Sequence, residues 1–407
     1  MNKQRYYFWL GVLLLLSLGG LLAWIYQVAN GLVVTGMRNI VSWGLYISAF
    51  MFLVGLSAGG LIVSSSATVF NIRQFKPAAK PAILLSAVCI IMAVMFIFVD
   101  LGRPDRFFNL LLTPKFNSPL IWDVVVIAVY LAISLYYLWL TSRPKLEENR
   151  YRVISALALP VAILVHSVTA WIFGLQIARP TWHSALLAPL FVVSALDSGL
   201  ALLLVVLIIL DRLGWYKLEK ELLATLGGLL AVLIAVDVFF IFSEVLTALY
   251  PAEERLMKYI NLLLIGSLAP FFWGEIVLAA VPFLILVFRS NRERKSLVGL
   301  AASLVVVGVF CKRIWLLFSA LMLPLIPYGP GVTLGSYALP PGEFSRYYPR
   351  VWSTAGQYVP TWVELLIFTG IFAFGALLYI LAARIILAEG PGEQKAPVTG
   401  DELKVIA

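Results

Sequence analysis

Long apolar runs separated by short polar connections dominate this chain. A helix needs about 20 mainly apolar residues to cross a bilayer, and ten runs reach or approach that length. They predict membrane-spanning helices at 7–28, 42–70, 82–101, 119–142, 152–178, 185–211, 222–250, 259–288, 297–326 and 362–386. The pattern lacks the short alternating segments of a membrane β-barrel. We therefore expect an all-α polytopic membrane protein with about ten transmembrane helices.

Composition agrees with that pattern, since 62% of the 407 residues are hydrophobic and 13% are charged. The net charge of +9 reflects Lys and Arg in alternate connections, at 3–5, 73–80, 143–152, 212–220 and 289–295. Such residues mark the cytoplasmic side, so we expect a cytoplasmic membrane protein with both termini in the cytoplasm. The first apolar run is too long for a signal peptide and is expected to stay as a helix.

Histidine and cysteine are scarce: the chain contains only His166, His183, Cys89 and Cys311. A haem held by two histidines needs them at matching depth, whereas His166 lies in the fifth predicted span and His183 in the next outer connection. There is no CxxCH motif and no cysteine cluster. We therefore expect no haem, iron–sulfur cluster or metal site in this chain.

Ionisable residues inside membrane spans are costly and commonly mark function. With the predicted topology, they lie in the outer half or near mid-depth, and the inner half is nearly bare. The outer group is Tyr46, Asp100, Arg103, Asp123, Arg179, Glu244, Arg313 and Glu364, and the deeper group is His166, Asp197, Asp237 and Glu275. This asymmetry favours a site for a membrane-borne, protonatable ligand near the outer face. Boundary ion pairs that only anchor helices, such as Arg103 with Asp105, are the alternative.

A weak internal repeat relates the second and sixth spans, because FLVGLSAGGL at 52–61 aligns with FVVSALDSGL at 191–200. Both segments run inward, so the repeat would be parallel; chance similarity of small-residue patterns is the alternative. The repeat predicts two four-helix bundles with flanking first and last helices. The corresponding segments are 1–35 (first helix and outer loop), 36–180 (first bundle), 181–327 (second bundle), 328–361 (outer partner-docking loop), 362–388 (last helix) and 389–407 (cytoplasmic tail).

Seven short motifs follow one another along most of the chain. They are SWGLY at 42–46, LGRPDRF at 101–107, LLTPKFNSPLIWD at 111–123, HSVTAW at 166–171, PTWHS at 180–184, FFWGE at 271–275 and YVPTWVE at 358–364. Together they resemble the NrfD/PsrC family of quinone-interacting integral membrane subunits, especially its ten-span branch in multi-subunit respiratory redox complexes. The resemblance implies a subunit of anaerobic respiration that exchanges electrons between menaquinone, or another quinone, and an iron–sulfur, ferredoxin-like subunit on the outer face. Further catalytic or cytochrome subunits would complete the oxidoreductase.

Quinol oxidation releases two protons and two electrons, so its site needs a proton acceptor near the ring oxygen. His166 is the first candidate, because a neutral imidazole accepts a proton and hydrogen-bonds a carbonyl. Asp197, on the adjacent helix, would carry the proton onward. The alternatives are an interhelical hydrogen bond for His166 and a packing role for Asp197, where the family often has an uncharged residue. The residues predicted around the quinone head are Tyr46, Arg103, Asp123, His166 and Arg179.

A second set of charges lies in the second predicted bundle. Asp237 and Glu244 are seven residues apart and share one helix face. The full set is Asp237, Glu244, Glu275, Lys312 and Arg313. These residues form either a candidate proton path or a structural ion-pair cluster. The loop at 328–361 is rich in Pro, Gly, Tyr and Arg, which suits either a partner interface or anchoring at the membrane surface.

Two other classes of function remain open. A secondary transporter also has many spans, intramembrane charges and internal repeats, but alternating access needs polar groups in both halves of the membrane. A structural anchor without quinone would leave His166 without a role. We expect a quinone-reactive subunit of a multi-subunit oxidoreductase that lacks complete catalytic machinery of its own.

Overall fold

The computed structural model describes residues 3–38, 40–70, 72–143, 148–323 and 358–387. Within these ranges it contains helices and no strand, and ten helices are long and apolar enough to cross a membrane. The predicted fold class and number of spans are confirmed. The helices are α1 (Lys3–Asn30), α2 (Leu45–Val69), α3 (Ala79–Asp100), α4 (Phe107–Leu112), α5 (Pro119–Thr141), α6 (Glu148–Gly174), α7 (Leu187–Leu213), α8 (Lys220–Leu249), α9 (Glu254–Leu264), α10 (Ala269–Val287), α11 (Arg289–Arg292), α12 (Lys295–Leu321) and α13 (Trp362–Leu387).

The predicted span at 259–288 is wrong in its first part, because the chain breaks there into α9 and α10. Helix α9 is amphipathic: Tyr259 and Leu263 are buried, while Glu254 and Lys258 pair on the exposed side at 2.7 Å. Such a helix suits an interfacial position better than a crossing. The chain then turns at Gly266, whose N–H donates to the Asn261 carbonyl at 2.8 Å.

Helix α2 lies at the centre of the bundle and is buried along most of its length. It packs against α3, α6, α7 and α12. Glycines permit this close approach: a Cβ on Gly59 would lie 2.3 Å from the Gly199 carbonyl carbon, and one on Gly60 would lie 2.3 Å from the Ala82 carbonyl oxygen. Helices α7 and α3 therefore contact α2 backbone to backbone, as small residues allow in membrane helix packing.

The long helices pack as two groups around this centre. Helices α2, α3, α5 and α6 contact one another, as do α7, α8, α10 and α12, while α1 lies along α13. This packing accommodates the division into two bundles, which stays a prediction. We call the end where α1 ends and α2 begins the outer end, after the predicted topology, and the opposite end the inner end. Of the predicted docking loop only 358–361 lies among the described residues, and the tail at 389–407 lies outside them.

Candidate functional site

His166 lies on α6 and is buried, with 2% of its surface exposed. Neither ring nitrogen has a hydrogen-bond partner among the residues that the structure describes. Burying a polar group without a partner costs free energy, so such a group calls for a ligand or a water molecule. The charged neighbour that interacts electrostatically with the imidazole is Arg313 of α12. This interaction connects a residue of the first predicted bundle with a residue of the second.

Arg313 is also fully buried and only partly satisfied. Its guanidinium stacks over the Phe191 ring at 4.4 Å, and Nη2 donates to the Ser194 hydroxyl at 3.2 Å. Its Nε and Nη1 have no partner in the described part of the chain. Gly55 of α2 packs against this group, since a Cβ there would lie 3.4 Å from Nη2. Arg313 thus offers hydrogen-bond donors, and His166 a donor and an acceptor, in the same buried region.

Next to Arg313 in the chain, Lys312 is the centre of an ion-pair cluster. Its ammonium donates to Asp237 of α8 and lies 2.9 Å from Oε1 of Glu275 on α10. The Trp315 indole N–H donates to the other Glu275 oxygen at 2.5 Å, and Lys312 also reaches the Ser194 hydroxyl at 3.3 Å. Three helices of the second group are therefore joined by charge, and both interpretations of these residues, a proton path and a structural ion-pair cluster, stay predictions.

Asp197 lies on α7 beside this cluster. It is 2% exposed, its Oδ1 has no hydrogen-bond partner among the described residues, and it interacts electrostatically with Asp237 and Lys312. Three carboxyl groups thus face two cations. If all three were ionised, the group would carry one excess negative charge, and one bound proton would neutralise it.

These side chains lie between about 9 Å (Glu275) and about 18 Å (Asp237) from the outer ends of their helices. Counted at 1.5 Å per residue, His166 and Arg313 each lie about 12 Å, and Asp197 about 15 Å, from the outer ends of their helices. We name this set the buried polar layer. Its members are His166, Ser194, Asp197, Asp237, Glu275, Lys312 and Arg313.

The predicted quinone ligands other than His166 make hydrogen bonds of their own. Tyr46 donates to the Gln27 side chain at 2.6 Å, and Asp123 accepts from the Thr169 hydroxyl at 2.6 Å. Arg179 donates to the carbonyl of Ala320 at 2.6 Å, so it ties the connection between α6 and α7 to the end of α12. Burial lowers the pKa of Arg179. Their roles toward a quinone stay predictions.

Arg103 lies outside the buried polar layer. Its side chain is 64% exposed and forms a two-pronged ion pair with Asp105, with both N–O distances at 2.9 Å. This contact holds the pKa of Asp105 below its usual range. The pair matches the anchoring alternative that the sequence leaves open for Arg103.

Glu244 also stays apart from the cluster predicted for it. Its carboxylate accepts from the Ser184 hydroxyl at 2.7 Å, and Tyr259 of α9 is an electrostatic neighbour. It lies about 10 Å nearer the outer end of α8 than Asp237. Glu364 is another fully buried acid, and it accepts from the Tyr358 hydroxyl at 2.5 Å and the Gly36 N–H at 2.6 Å. That contact fixes the start of α13.

Sequence reasoning missed Ser194 and Phe191, which hold Arg313 in place. Ser194 lies three residues before Asp197 and hence on the same face of α7, so helical spacing could have indicated it. In the described part of the chain, no three His, Cys, Asp or Glu side chains come together as metal ligands would.

Comparison with known proteins adds the family. The model of the NrfD polysulphide reductase family matches residues 33–324. The chain belongs to this family. One relative, from Halobacterium salinarum, is named as a dimethyl sulfoxide reductase membrane subunit. It is 37% identical to this NrfD-family chain over 410 residues, which cover 96% of the chain and 92% of that relative.

Two further relatives of this NrfD-family chain are each 28% identical to it. One is a selenate reductase subunit of Mesobacillus selenatarsenatis, with 78% of the chain and 82% of the relative covered. The other is the Hdr-like menaquinol oxidoreductase integral membrane subunit of Archaeoglobus fulgidus, with 92% of each covered. All three relatives are named as subunits of a reductase or oxidoreductase, and two of them as membrane subunits.

Proposed function

We propose that this chain binds menaquinone or menaquinol at the buried polar layer and exchanges electrons with an iron–sulfur subunit on the outer face. The observation that carries the proposal is the pair of unsatisfied groups, His166 and Arg313. A quinone head offers two carbonyl oxygens, which accept hydrogen bonds from a guanidinium and an imidazole. Binding would therefore satisfy polar atoms that are otherwise buried at a cost.

Protons must move with the electrons. When quinone accepts two electrons it takes up two protons to form quinol, and the oxidation releases both again. His166 would exchange a proton with a ring oxygen, as a neutral imidazole can. Asp197 lies at similar depth and has an unpartnered oxygen among the described residues, so it would serve as the next proton acceptor. Asp237 and Glu275, which share the single cation Lys312, would act mainly through charge.

An apolar cavity of about 340 Å³ suits the tail of such a ligand. It lies among α2, α3, α7, α12 and α13, and its lining includes Leu53, Leu56, Leu202 and Phe372. Leu53 and Leu56 are within two residues of Gly55, against which Arg313 packs. A quinone head in the buried polar layer would extend its isoprenoid tail toward this cavity, where apolar contact stabilises it.

The outer face is the natural side for the electron partner. The members of the buried polar layer lie about 9–18 Å from the outer ends of their helices, nearer to them than to the inner ends. A relative is named a menaquinol oxidoreductase subunit, which favours a quinone function over the transporter alternative. The Lys- and Arg-rich connections at the inner end favour a cytoplasmic position for that end and for both termini.

The deciding experiment measures quinone-analogue binding to the purified complex, followed by quenching of intrinsic or analogue fluorescence. We expect His166→Ala to weaken binding by roughly tenfold to hundredfold, the range that follows from one lost buried hydrogen bond. Gel filtration would verify that the subunits remain assembled. The matched control is His183→Ala, because His183 lies outside the layer and bonds the Gly174 carbonyl at 2.9 Å.

The result would count against the site if His166→Ala bound the analogue as tightly as wild type. Wild-type complex that bound no analogue, and carried no menaquinone after purification, would refute the proposed function itself.

A further inference from the structure

The apolar cavity of about 340 Å³ reaches the lateral surface of the helix bundle, which faces lipid. Two of its lining residues lie at that surface, since Ile209 of α7 is 49% exposed and Ala376 of α13 is also exposed. Both residues lie on the inner side of the midpoints of their helices. The mouth of the cavity therefore opens between α7 and α13, in the inner half of the membrane.

The two helices at this mouth pack against different neighbours. Helix α13 lies along α1 and α3, whereas α7 packs mainly against α2, α6, α8 and α12. Between them, the floor of the cavity is formed by α2 and α3, with Leu56, Leu85 and Val88. The mouth thus lies at a boundary between separately packed helices, where a lateral opening disturbs few contacts.

The side chains that line the cavity present apolar surface to it. Tyr379 contributes its ring, because its hydroxyl donates to the Pro81 carbonyl at 3.5 Å. Cys89, which is buried, behaves as a small apolar residue. Protein interiors leave few voids of this size, and a cavity of this lining does not hold water. A flexible apolar chain is the occupant that its chemistry fits.

Aromatic rings bound the outer end of the cavity. Phe52 of α2 and Phe372 of α13 line it. Phe52 packs edge-to-face against Phe310 of α12, with ring centroids 5.1 Å apart. The Phe310 centroid lies 5.8 Å from that of Phe368, which in turn lies 4.6 Å from that of Phe372. We name these four rings, Phe52, Phe310, Phe368 and Phe372, the aromatic gate.

The proposed quinone site lies directly beyond the aromatic gate. Phe310 precedes Arg313 by three residues, and Phe52 precedes Gly55, which packs against the Arg313 guanidinium, by three residues. Residues three apart lie on the same helix face, about one turn along. The gate is therefore placed between the cavity and the Nε and Nη1 atoms of Arg313, which have no partner in the described part of the chain.

We infer that the cavity is a lateral entrance, through which menaquinone or menaquinol passes from the lipid between α7 and α13, and past the aromatic gate, to Arg313 and His166. This inference rests on the proposed quinone function, which supplies the ligand. The planar naphthoquinone ring stacks against the gate rings as it passes, and the isoprenoid tail follows into the cavity. A phospholipid acyl chain is also apolar, but its headgroup stays at the membrane surface. It does not account for a cavity that leads to a buried guanidinium.

Photolabelling of the complex in proteoliposomes tests whether the ligand occupies this entrance. The probe is a menaquinone analogue with a diazirine at the end of its tail. We expect labelled peptides from 202–213 and 372–380, and excess menaquinone should abolish this labelling. The control segment is 232–239 of α8, because Val232 and Phe239 are exposed to lipid outside the cavity. Labelling of the control segment should persist when menaquinone is added.

The rate of entry is measured by stopped-flow fluorescence with 2-methylnaphthoquinone, which has no tail. Ala376→Trp places a large ring at the mouth. We expect the association and dissociation rates both to fall by roughly tenfold, with Kd unchanged, because the variant hinders the passage and leaves the head site intact. Damage to the site itself would change Kd instead. The matched control is Leu381→Trp, because Leu381 is 43% exposed and lies outside the lining of the cavity.

Two results would overturn the inference. One is a tail label at 202–213 and 372–380 that excess menaquinone does not displace, since any apolar chain would then fill the cavity. The other is an Ala376→Trp complex with wild-type rates. If that variant does not assemble, the labelling of wild type still decides. Wild-type complex that bound neither analogue would instead refute the proposed quinone function, whereas normal affinity with unchanged rates would refute only the entrance.

Discussion

Lys312→Met is the most direct perturbation of the buried polar layer. The two side chains have similar length, so packing changes little while the positive charge is lost. Lys312 is fully buried between Asp237 and Glu275. Without it, these two carboxyl groups face each other in an apolar interior, with only the Trp315 N–H, among the described residues, still bonded to Glu275.

The expected cost is large. Removing one partner of a buried ion pair destabilises a protein by about 3–5 kcal/mol, because the other charge stays buried without compensation. The same helix offers a matched control at its inner end, where Lys295 pairs with Asp211 at 2.5 Å but is 38% exposed. For such a partly exposed pair, Lys295→Met should cost no more than about 1 kcal/mol.

The assay measures the midpoint temperature of thermal unfolding in detergent. The readout is the fraction of complex that still elutes as a single species after heating to each temperature. Lys312→Met should lower this midpoint by several degrees more than Lys295→Met. Adding Asp237→Asn to Lys312→Met should recover part of the loss, because the double change also removes an uncompensated charge. Equal midpoints for the two lysine variants would refute the reasoning that the cluster is buried and energetically coupled.

Two further predictions concern helix packing and ligand binding. Gly59→Leu should prevent assembly, measured as yield of intact complex, because its Cβ would collide with Gly199; Gly11→Leu should assemble normally, since a Cβ there meets nothing within 4 Å. Arg313→Lys should weaken quinone-analogue binding by roughly tenfold in fluorescence titration, because lysine lacks the planar fork that stacks on Phe191 and donates in two directions.

Hydropathy and helical geometry account for what the sequence predicts well. A span is recognised from its own residues, since the bilayer sets its length, and depth follows from the rise per residue. His166, Asp197, Asp237 and Glu275 could therefore be assigned a common depth before their contacts were known. The break before α10 escaped this reasoning, because α9 is apolar on one face only and joins α10 through a turn at Gly266.

Contacts across helices depend on rotation and tilt, which hydropathy does not contain. Arg313 is predicted with the charges of the second bundle, yet its guanidinium also acts on His166 of the first. Arg103 pairs with Asp105 at the surface, which is the alternative that the sequence offers, and its role toward a quinone stays a prediction. Charged residues alone do not indicate the buried hydroxyl groups of Tyr130, Ser134 and Tyr137 on α5, because serine and tyrosine cost less to bury than charges when they are hydrogen-bonded.

The two helix groups place comparable acids in different electrostatic surroundings. This difference indicates which side of the boundary between the groups suits a ligand. Asp123 near the start of α5 and Glu275 near the start of α10 each accept a hydrogen bond from the long helix that follows, from Thr169 and Trp315. Within the described residues, only Glu275 of these two acids also has a cation, Lys312, at 2.9 Å. Two acids of the second group thus share the cation Lys312, while Asp197 of the same group keeps one oxygen without a partner among the described residues. The second group also contributes Arg313 to the boundary between the groups. In the same described ranges, the first group keeps an acid without a counter-charge, Asp123, and an imidazole without a partner, His166. We therefore expect a ligand that brings its own hydrogen-bonding oxygens and protons to bind on the first group's side of the boundary between the two groups.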